Sequence, residues 1–118
     1  MLAKNSKTDD TENDIEKLQE KLQEIKDQEG IIGYILRCPK SASIDLKDPT
    51  KIIDYAVLSS TAFDASRNMT EALQMGEVDT IIVESEETKL LSMNINNHRL
   101  SIFMEKSVDH NKLYRNLK

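Results

Sequence analysis

The sequence predicts an α/β (α+β) fold, a five-stranded antiparallel sheet with helices on both faces. The predicted order of elements is helix, two strands, helix, three strands, helix. Two observations lead to this prediction. A long helical stretch at residues 49–75 is apolar on two sides, and the apolar runs around it have the length and composition of strands joined by short turns. A sheet with helices packed on it is the economical arrangement of these elements.

The N-terminal part of the chain predicts a tail and a first helix. Residues 1–12 are polar, so we expect a disordered tail, followed by a single domain at residues 13–118. Asn13 or Asp14 is expected to cap a helix that runs to about Glu29. The apolar residues of this helix recur at spacings of three and four: Ile15, Leu18, Leu22 and Ile25. An amphipathic helix on the sheet is preferred over a free coiled coil, because two heptads are few.

A dense apolar run at residues 31–37 predicts a strand with both faces covered. The segment at residues 38–41 contains Pro39 and predicts a turn into a shorter strand at residues 42–46. These two strands are expected to form a hairpin.

The central helix is predicted from its end signals and its apolar pattern. Asp48 can cap it, Pro49 suits its first turn, and Gly76 is expected to end it in a left-handed conformation. One apolar side is formed by Leu58, Ala62, Ala65, Met69 and Ala72. The other side, roughly 160° away, is formed by Ile52, Ile53, Ala56, Val57 and Phe63. Such a helix is either wrapped by its own domain or shared with a second subunit, and the small alanines favour sharing.

Three further strands are predicted at residues 79–85, 89–95 and 99–105, and a short helix at residues 108–117 closes the chain. The turn between the last two strands contains Asn96 and Asn97, which tolerate positive φ. Asp109 is the expected cap of the closing helix.

Composition narrows the class of function. Hydrophobic residues make up 38% and aromatic residues 4% of the 118 residues. This composition predicts a small hydrophobic core, which association with another subunit would help to stabilise. The net charge of −5 and the scattered basic residues argue against nucleic-acid binding. No apolar run is long enough for a signal peptide or membrane insertion. Cys38 is the only cysteine, so we expect a reducing, cytoplasmic setting.

Few residues could carry chemistry, and we expect no enzyme, no cofactor and no metal site. His98 and His110 are isolated from each other and are expected at the surface, and Cys38 is expected to be a structural thiol. The glutamates at residues 84, 86 and 87 are expected to form a solvated edge rather than a cation site.

Three arginines could serve as arginine fingers that act on a partner's nucleotide: Arg37, Arg67 and Arg99. An ordinary ion pair at the surface is the preferred interpretation of each.

The order of elements and several segments together resemble the roadblock/dynein light chain family. The resemblance implies the roadblock fold, in which helices and sheet are layered as in profilin. The resemblance covers about residue 14 to the end of the chain. Two of the matching signals are the Gly-Ile-Ile-Gly opening of the first strand at residues 30–33 and the capped central helix with its alanines. A third is the meander at residues 76–84, 90–93 and 100–104. The fourth is the tail at residues 111–118, which is similar to that of prokaryotic members.

The resemblance implies a homodimer, or a heterodimer with another roadblock protein. The strands at residues 79–85 of two subunits would pair into one sheet, and the central helices would pack side by side. The residues expected in this dimer interface are Ile52, Ala56, Phe63, Thr80, Ile81, Ile82 and Val83.

The resemblance also implies a Ras-like small GTPase as partner, as in a bacterial cell-polarity system where a similar protein is a GTPase-activating protein. The residues expected to bind the partner are Lys51, Asp54, Tyr55, Ser59, Arg67 and Glu71. Tyr55 is the best single candidate, with packing on the neighbouring helix as its alternative. A structural adaptor without effect on GTP hydrolysis is the alternative function.

Overall fold

The structure, a computed structural model, describes the backbone of residues 2–117 and the side chains of residues 14–117. Its elements are α1 (Leu2–Lys26), β1 (Ile31–Arg37), β2 (Ala42–Leu46), a 3-10 turn (Pro49–Lys51), α2 (Ile52–Ala72), β3 (Thr80–Glu84), β4 (Thr88–Ile95), β5 (His98–Glu105) and α3 (His110–Leu117). The predicted order of helices and strands is confirmed.

The five strands form one sheet in the order β2-β1-β5-β4-β3, and every neighbouring pair is antiparallel. The first hairpin and the three-stranded meander therefore join through β1 and β5. Strands β2 and β3 lie at the two edges of the sheet. Because β3 pairs only with β4 among the described residues, its other side is an open edge.

Side chains alternate between the two faces of the sheet, and each face has its own core. On one face, Leu22 of α1 and Leu113 of α3 pack with sheet residues such as Ile102. On the other face, Ile35 and Phe103 are the buried sheet residues against which α2 packs. Helices thus cover both faces, as the sequence predicted.

Helix α1 shows the predicted apolar seam, with Leu18, Leu22 and Ile25 buried on the sheet. Its start differs from the prediction, because the helical backbone begins at Leu2 rather than at residue 13. No Gly or Pro lies between residues 2 and 13 to stop the helix. The side chains of residues 2–13 lie outside the described residues, and the division into a tail at 1–12 and a domain at 13–118 stays a prediction.

The predicted cap at Asp48 is confirmed, but it caps the 3-10 turn that leads into α2, and the predicted end of the helix is corrected. The carboxylate of Asp48 accepts hydrogen bonds from the hydroxyl of Thr50 at 2.6 Å and from its N–H at 3.1 Å. These bonds lower the pKa of Asp48. Helix α2 ends before Gly76, since Gln74 adopts the left-handed φ of 57°. The N–H of Met75 then donates to the carbonyl of Thr70 at 2.8 Å, which completes a Schellman cap.

Two local predictions in the C-terminal half are confirmed. Asn96 and Asn97 adopt positive φ values of 47° and 68° in the turn between β4 and β5. The carboxylate of Asp109 accepts a hydrogen bond from the N–H of Asn111 at 3.0 Å and so caps α3.

Gly33 is required by a close approach between β1 and β2. The pairing of β1 with β5 shifts register between Ile31 and Gly33, and Gly33 lies opposite Leu46 of β2. A Cβ atom at Gly33 would collide with the carbonyl oxygen of Asp45 and lie 2.7 Å from the Cα atom of Leu46. Backbone atoms cannot rotate away as a side chain can, so the strands would have to separate.

We expect Gly33→Ala to lower the free energy of unfolding by about 2–3 kcal/mol, as overpacking does. Gly76→Ala is the matched control, because a Cβ there meets nothing within 4 Å and adds only the strain of its φ of 91°, about 1 kcal/mol. Urea unfolding at one protein concentration measures both variants. Equal losses would contradict the close approach.

Candidate functional site

One side of α2 faces the sheet and is buried against it. Phe63 is 2% exposed and Ser59 is 3% exposed, and the Ser59 hydroxyl donates to the carbonyl of Ala56 at 3.2 Å. Neither side chain has surface left for another protein. The sheet of the same chain covers both residues, so the structure gives no exposed surface for the predicted place of Phe63 in a dimer interface or of Ser59 in a partner interface.

The outer surface of α2 carries large apolar side chains that are exposed by half or more. They are Ile53 at 75%, Val57 at 56%, Leu58 at 63% and Met69 at 55%, and Leu73 follows just after the helix at 63%. The predicted grouping of Ile53 and Val57 with the buried Phe63 is wrong, because these two side chains point to solvent. Exposed apolar residues gathered along one helix mark an interaction surface.

The open edge of β3 adds two more apolar residues, Ile82 at 45% and Val83 at 47% exposure. Thr80 and Ile81 of the same strand are half-buried. These four residues of the predicted dimer interface lie along the unpaired edge of β3 and keep some exposed surface there.

The hydrogen-bond register of β3 shows which backbone groups are free at this edge. The N–H of Asn94 donates to the carbonyl of Asp79, and the N–H of Ser85 donates to the carbonyl of Thr88. Because bonded and non-bonded pairs alternate along an antiparallel ladder, the odd-numbered residues of β3 bond to β4. The backbone groups of the even-numbered residues, Thr80, Ile82 and Glu84, therefore point away from β4 towards the open edge.

Tyr55 connects the surface of α2 with β3. Its ring stacks on Phe103 with centroids 4.6 Å apart, and it lines a crevice together with Val83. Leu58 and Met69 follow Tyr55 by three and by fourteen residues, so they lie on the same side of a helix with 3.6 residues per turn. The side of α2 that carries Leu58 and Met69 thus faces the β3 edge.

The opposite side of α2 lies next to β1. The carbonyl oxygen of Ala56 accepts a hydrogen bond from the Arg37 guanidinium at 3.2 Å. Ile52 and Ala56 are half-buried and pack on the same core as Phe103. Their predicted dimer contacts stay a prediction, but they lie away from the β3 edge.

The predicted partner-binding residues fall into two groups. Four of them are exposed on or beside α2: Lys51, Asp54, Arg67 and Glu71. Tyr55 is half-buried, and its packing partner is Phe103 of the sheet rather than a neighbouring helix. Tyr55 also lines the crevice next to β3.

Arg37, Arg67 and Arg99 all lie beside α2, with Arg37 contacting its first half and Arg67 and Arg99 meeting at Asp64 in its second half. The carboxylate of Asp64 lies 3.0 Å from Arg67 and 3.7 Å from Arg99. The Arg99 guanidinium lies 4.0 Å from the ring centre of Phe63. Burial lowers the pKa of Arg99, and the positive charges of Arg67 and Arg37 lower it further, while Asp64 opposes them.

The two histidines are less exposed than predicted. His98 is 7% exposed, and within the described part of the chain its Nδ1 has no hydrogen-bond partner. His110 is half-buried, with Nδ1 3.0 Å from the ammonium of Lys89, which also donates to the carbonyl of Val108. The burial of Lys89 was not predicted from the sequence. The pattern that could have indicated it is a single lysine at the start of the apolar run of β4. Cys38 is half-buried against the core, as expected.

Within residues 14–117 the side chains form no group of three or more His, Cys, Asp or Glu residues that could hold a metal ion. Among the described helices, none combines the length and the apolar character needed to cross a membrane. The exposed apolar surface of α2 and β3 is the candidate interaction site of the described chain.

Comparison with known proteins identifies the fold. No protein-family model and no curated protein sequence matches the chain. The crystal structure of a roadblock/LC7 domain from Streptomyces avermitilis is similar, with a TM-score of 0.63 and 18% sequence identity. The similarity covers 75% of this chain and 77% of that domain. The chain thus has the fold of a roadblock/LC7 domain.

Proposed function

We propose that this chain is a non-enzymatic, dimeric binding module that docks a Ras-like small GTPase and modulates its nucleotide cycle in the cytoplasm. The observation that carries the proposal is the apolar surface of α2, which continues onto the open edge of β3. The roadblock/LC7 fold and the sequence resemblance to the prokaryotic type of that family support the choice of partner.

A second copy of the chain is the proposed occupant of the β3 edge. The free backbone groups of Thr80, Ile82 and Glu84 offer donors and acceptors to another strand. An antiparallel pair of β3 strands about a two-fold axis at Ile82 places Thr80 of one copy opposite Glu84 of the other. Every outward backbone group of these three residues then gains a partner, and the two sheets become one.

The same two-fold axis brings the two α2 helices together. Leu58 and Met69 face the β3 edge, so in the dimer the second α2 covers these exposed side chains. Ala65 and Ala72 are exposed on the outer surface of the same helix, and their small size lets another helix approach closely. The dimer thereby buries an apolar surface that one chain leaves in water.

The paired helices would form the docking platform for the GTPase. Exposed Ile53 and Val57 supply apolar contacts, while Lys51 and Asp54 beside them supply charge. A central apolar patch with a polar rim is typical of protein interfaces. A regulator of this kind acts by reordering the switch loops of its partner and needs no catalytic group of its own.

A structural adaptor is the second candidate, and the arginines favour it. Arg37 donates to the carbonyl of Ala56, Arg67 pairs with Asp64, and Arg99 lies over the ring of Phe63. Each guanidinium contacts its own chain rather than projecting from the surface, as an arginine finger that enters a partner's nucleotide site would do. An adaptor, homodimeric or paired with another roadblock protein, requires only the binding surface.

We expect the wild-type chain to sediment as a dimer at micromolar concentrations and Ile82→Asp to sediment as a monomer. A charge at the centre of the paired β3 strands is buried without a counter-charge. Ile44→Asp is the matched control, because Ile44 is 40% exposed on the other edge strand, β2. Sedimentation velocity over a dilution series measures all three proteins.

A wild-type monomer would contradict the dimer. Dissociation by Ile44→Asp together with an intact Ile82→Asp dimer would move the interface to β2 and contradict the proposed two-fold axis.

We expect the dimer to bind at least one GTP-loaded Ras-like GTPase of the same organism and to change its single-turnover rate of GTP hydrolysis. Val57→Asp is expected to weaken binding about tenfold or more, since a charge enters the apolar centre of the platform. Ile44→Asp is again the control. Binding with an unchanged hydrolysis rate would identify the adaptor, and absence of binding across the GTPases would contradict the GTPase partner.

A further inference from the structure

We propose that a cleft at one end of the sheet, between the β4–β5 turn and the end of β1, binds the phosphate group of a small molecule through Arg37 and Arg99. This site lies on the side of α2 that faces β1, away from the β3 edge, and it does not depend on the proposed function.

The cleft begins with a row of polar side chains that crosses three strands. Arg37 of β1 lies directly opposite Arg99 of β5, and Arg99 lies directly opposite Asn94 of β4. Like charges directly opposite each other on neighbouring strands destabilise a sheet. An anion bound between the two guanidinium groups would turn this repulsion into attraction.

The chain provides too little negative charge to neutralise this row. Asp64 is the carboxylate that the ion pairs bring to Arg99, at 3.7 Å, and the same oxygen lies closer to Arg67, at 3.0 Å. One carboxylate is therefore shared by two guanidinium groups, while Arg37 donates to the carbonyl of Ala56 and, among residues 14–117, forms no ion pair. Glu77 also lines the cleft, so three guanidinium groups, those of Arg37, Arg67 and Arg99, face two carboxylates. A net positive charge remains at this end of a chain whose overall net charge is −5.

Partial burial strengthens the attraction for an anion. The side chain of Arg99 is only 23% exposed, because Phe63 covers one face of its guanidinium group. This burial removes part of the hydration of the charge and thereby lowers the pKa of Arg99. A charge-assisted hydrogen bond in such surroundings is stronger than one made in open water.

The cleft has the size and the donors for a phosphate-bearing molecule. Its volume is about 440 Å³, and Arg37, Arg99, Asn94 and Asn97 line it. Each guanidinium group has five N–H donors, and the Asn97 amide adds two. The amide of Asn94 already donates to the carbonyl of Val78 at 3.3 Å. A phosphate group, with three or four oxygens, accepts more of these hydrogen bonds than a carboxylate. Glu77 also lines the cleft and opposes an anion.

An NMR titration of the ¹⁵N-labelled protein with sodium phosphate tests this site, with sodium chloride keeping the ionic strength constant. We expect saturable shifts at the Arg37 and Arg99 Nε–H groups and at the backbone N–H of Asn97. Arg37→Gln should weaken the Kd about tenfold or more, since it removes a charged donor. Arg115→Gln, an exposed change on α3, is the matched control and should leave the Kd unchanged.

Glu77→Gln keeps the test decisive if an arginine variant fails to fold, because Glu77 is exposed in the segment between α2 and β3. It should tighten the Kd for phosphate. A titration with sodium acetate separates phosphate from carboxylate binding. Shifts that do not saturate, an Arg37→Gln or Glu77→Gln variant with the wild-type Kd, or acetate that binds as tightly as phosphate would each overturn the proposal.

Discussion

A helix that lies on a sheet can bury only one of its sides, and this constraint on α2 governs the rest of the structure. The buried side is used by Phe63 and Ser59, while Tyr55 stacks on Phe103. The remaining apolar side chains, with Leu58 and Met69 among them, stay in water in a single chain. The strand nearest to them, β3, is an open edge with outward backbone groups. The exposed side of α2 and the open edge of β3 thus form the surface on which we propose that another polypeptide packs.

The strands were predictable because their signals are local. Alternation, β-branched residues and turn formers such as Pro39, Asn96 and Asn97 define each strand without reference to distant parts of the chain. The cap at Asp48 is local in the same way. The bounds of β1 and β2 agree with the prediction, and the later strands differ from it by one residue at some ends.

The candidate site was less predictable because it depends on packing. Periodicity finds the sides of a helix but does not say which side meets the sheet, so Ser59 was expected at the surface and Val57 was grouped with Phe63. Close approach of helix and sheet favours the small Ser59 at the contact. The register of β1 on β5 places Arg37 beside Arg99, and no pattern within either segment indicates that neighbourhood.

Amide hydrogen exchange along β3 tests the central claim, the pairing of the open edge with another strand, most directly. The N–H groups of Ile81 and Val83 bond to β4 within the chain, so they report the stability of the sheet. The N–H groups of Thr80, Ile82 and Glu84 point outwards and report the partner strand. We predict slow exchange at these three positions in concentrated protein and faster exchange on dilution. Fast exchange at every concentration, with Ile81 and Val83 still protected, would contradict the account.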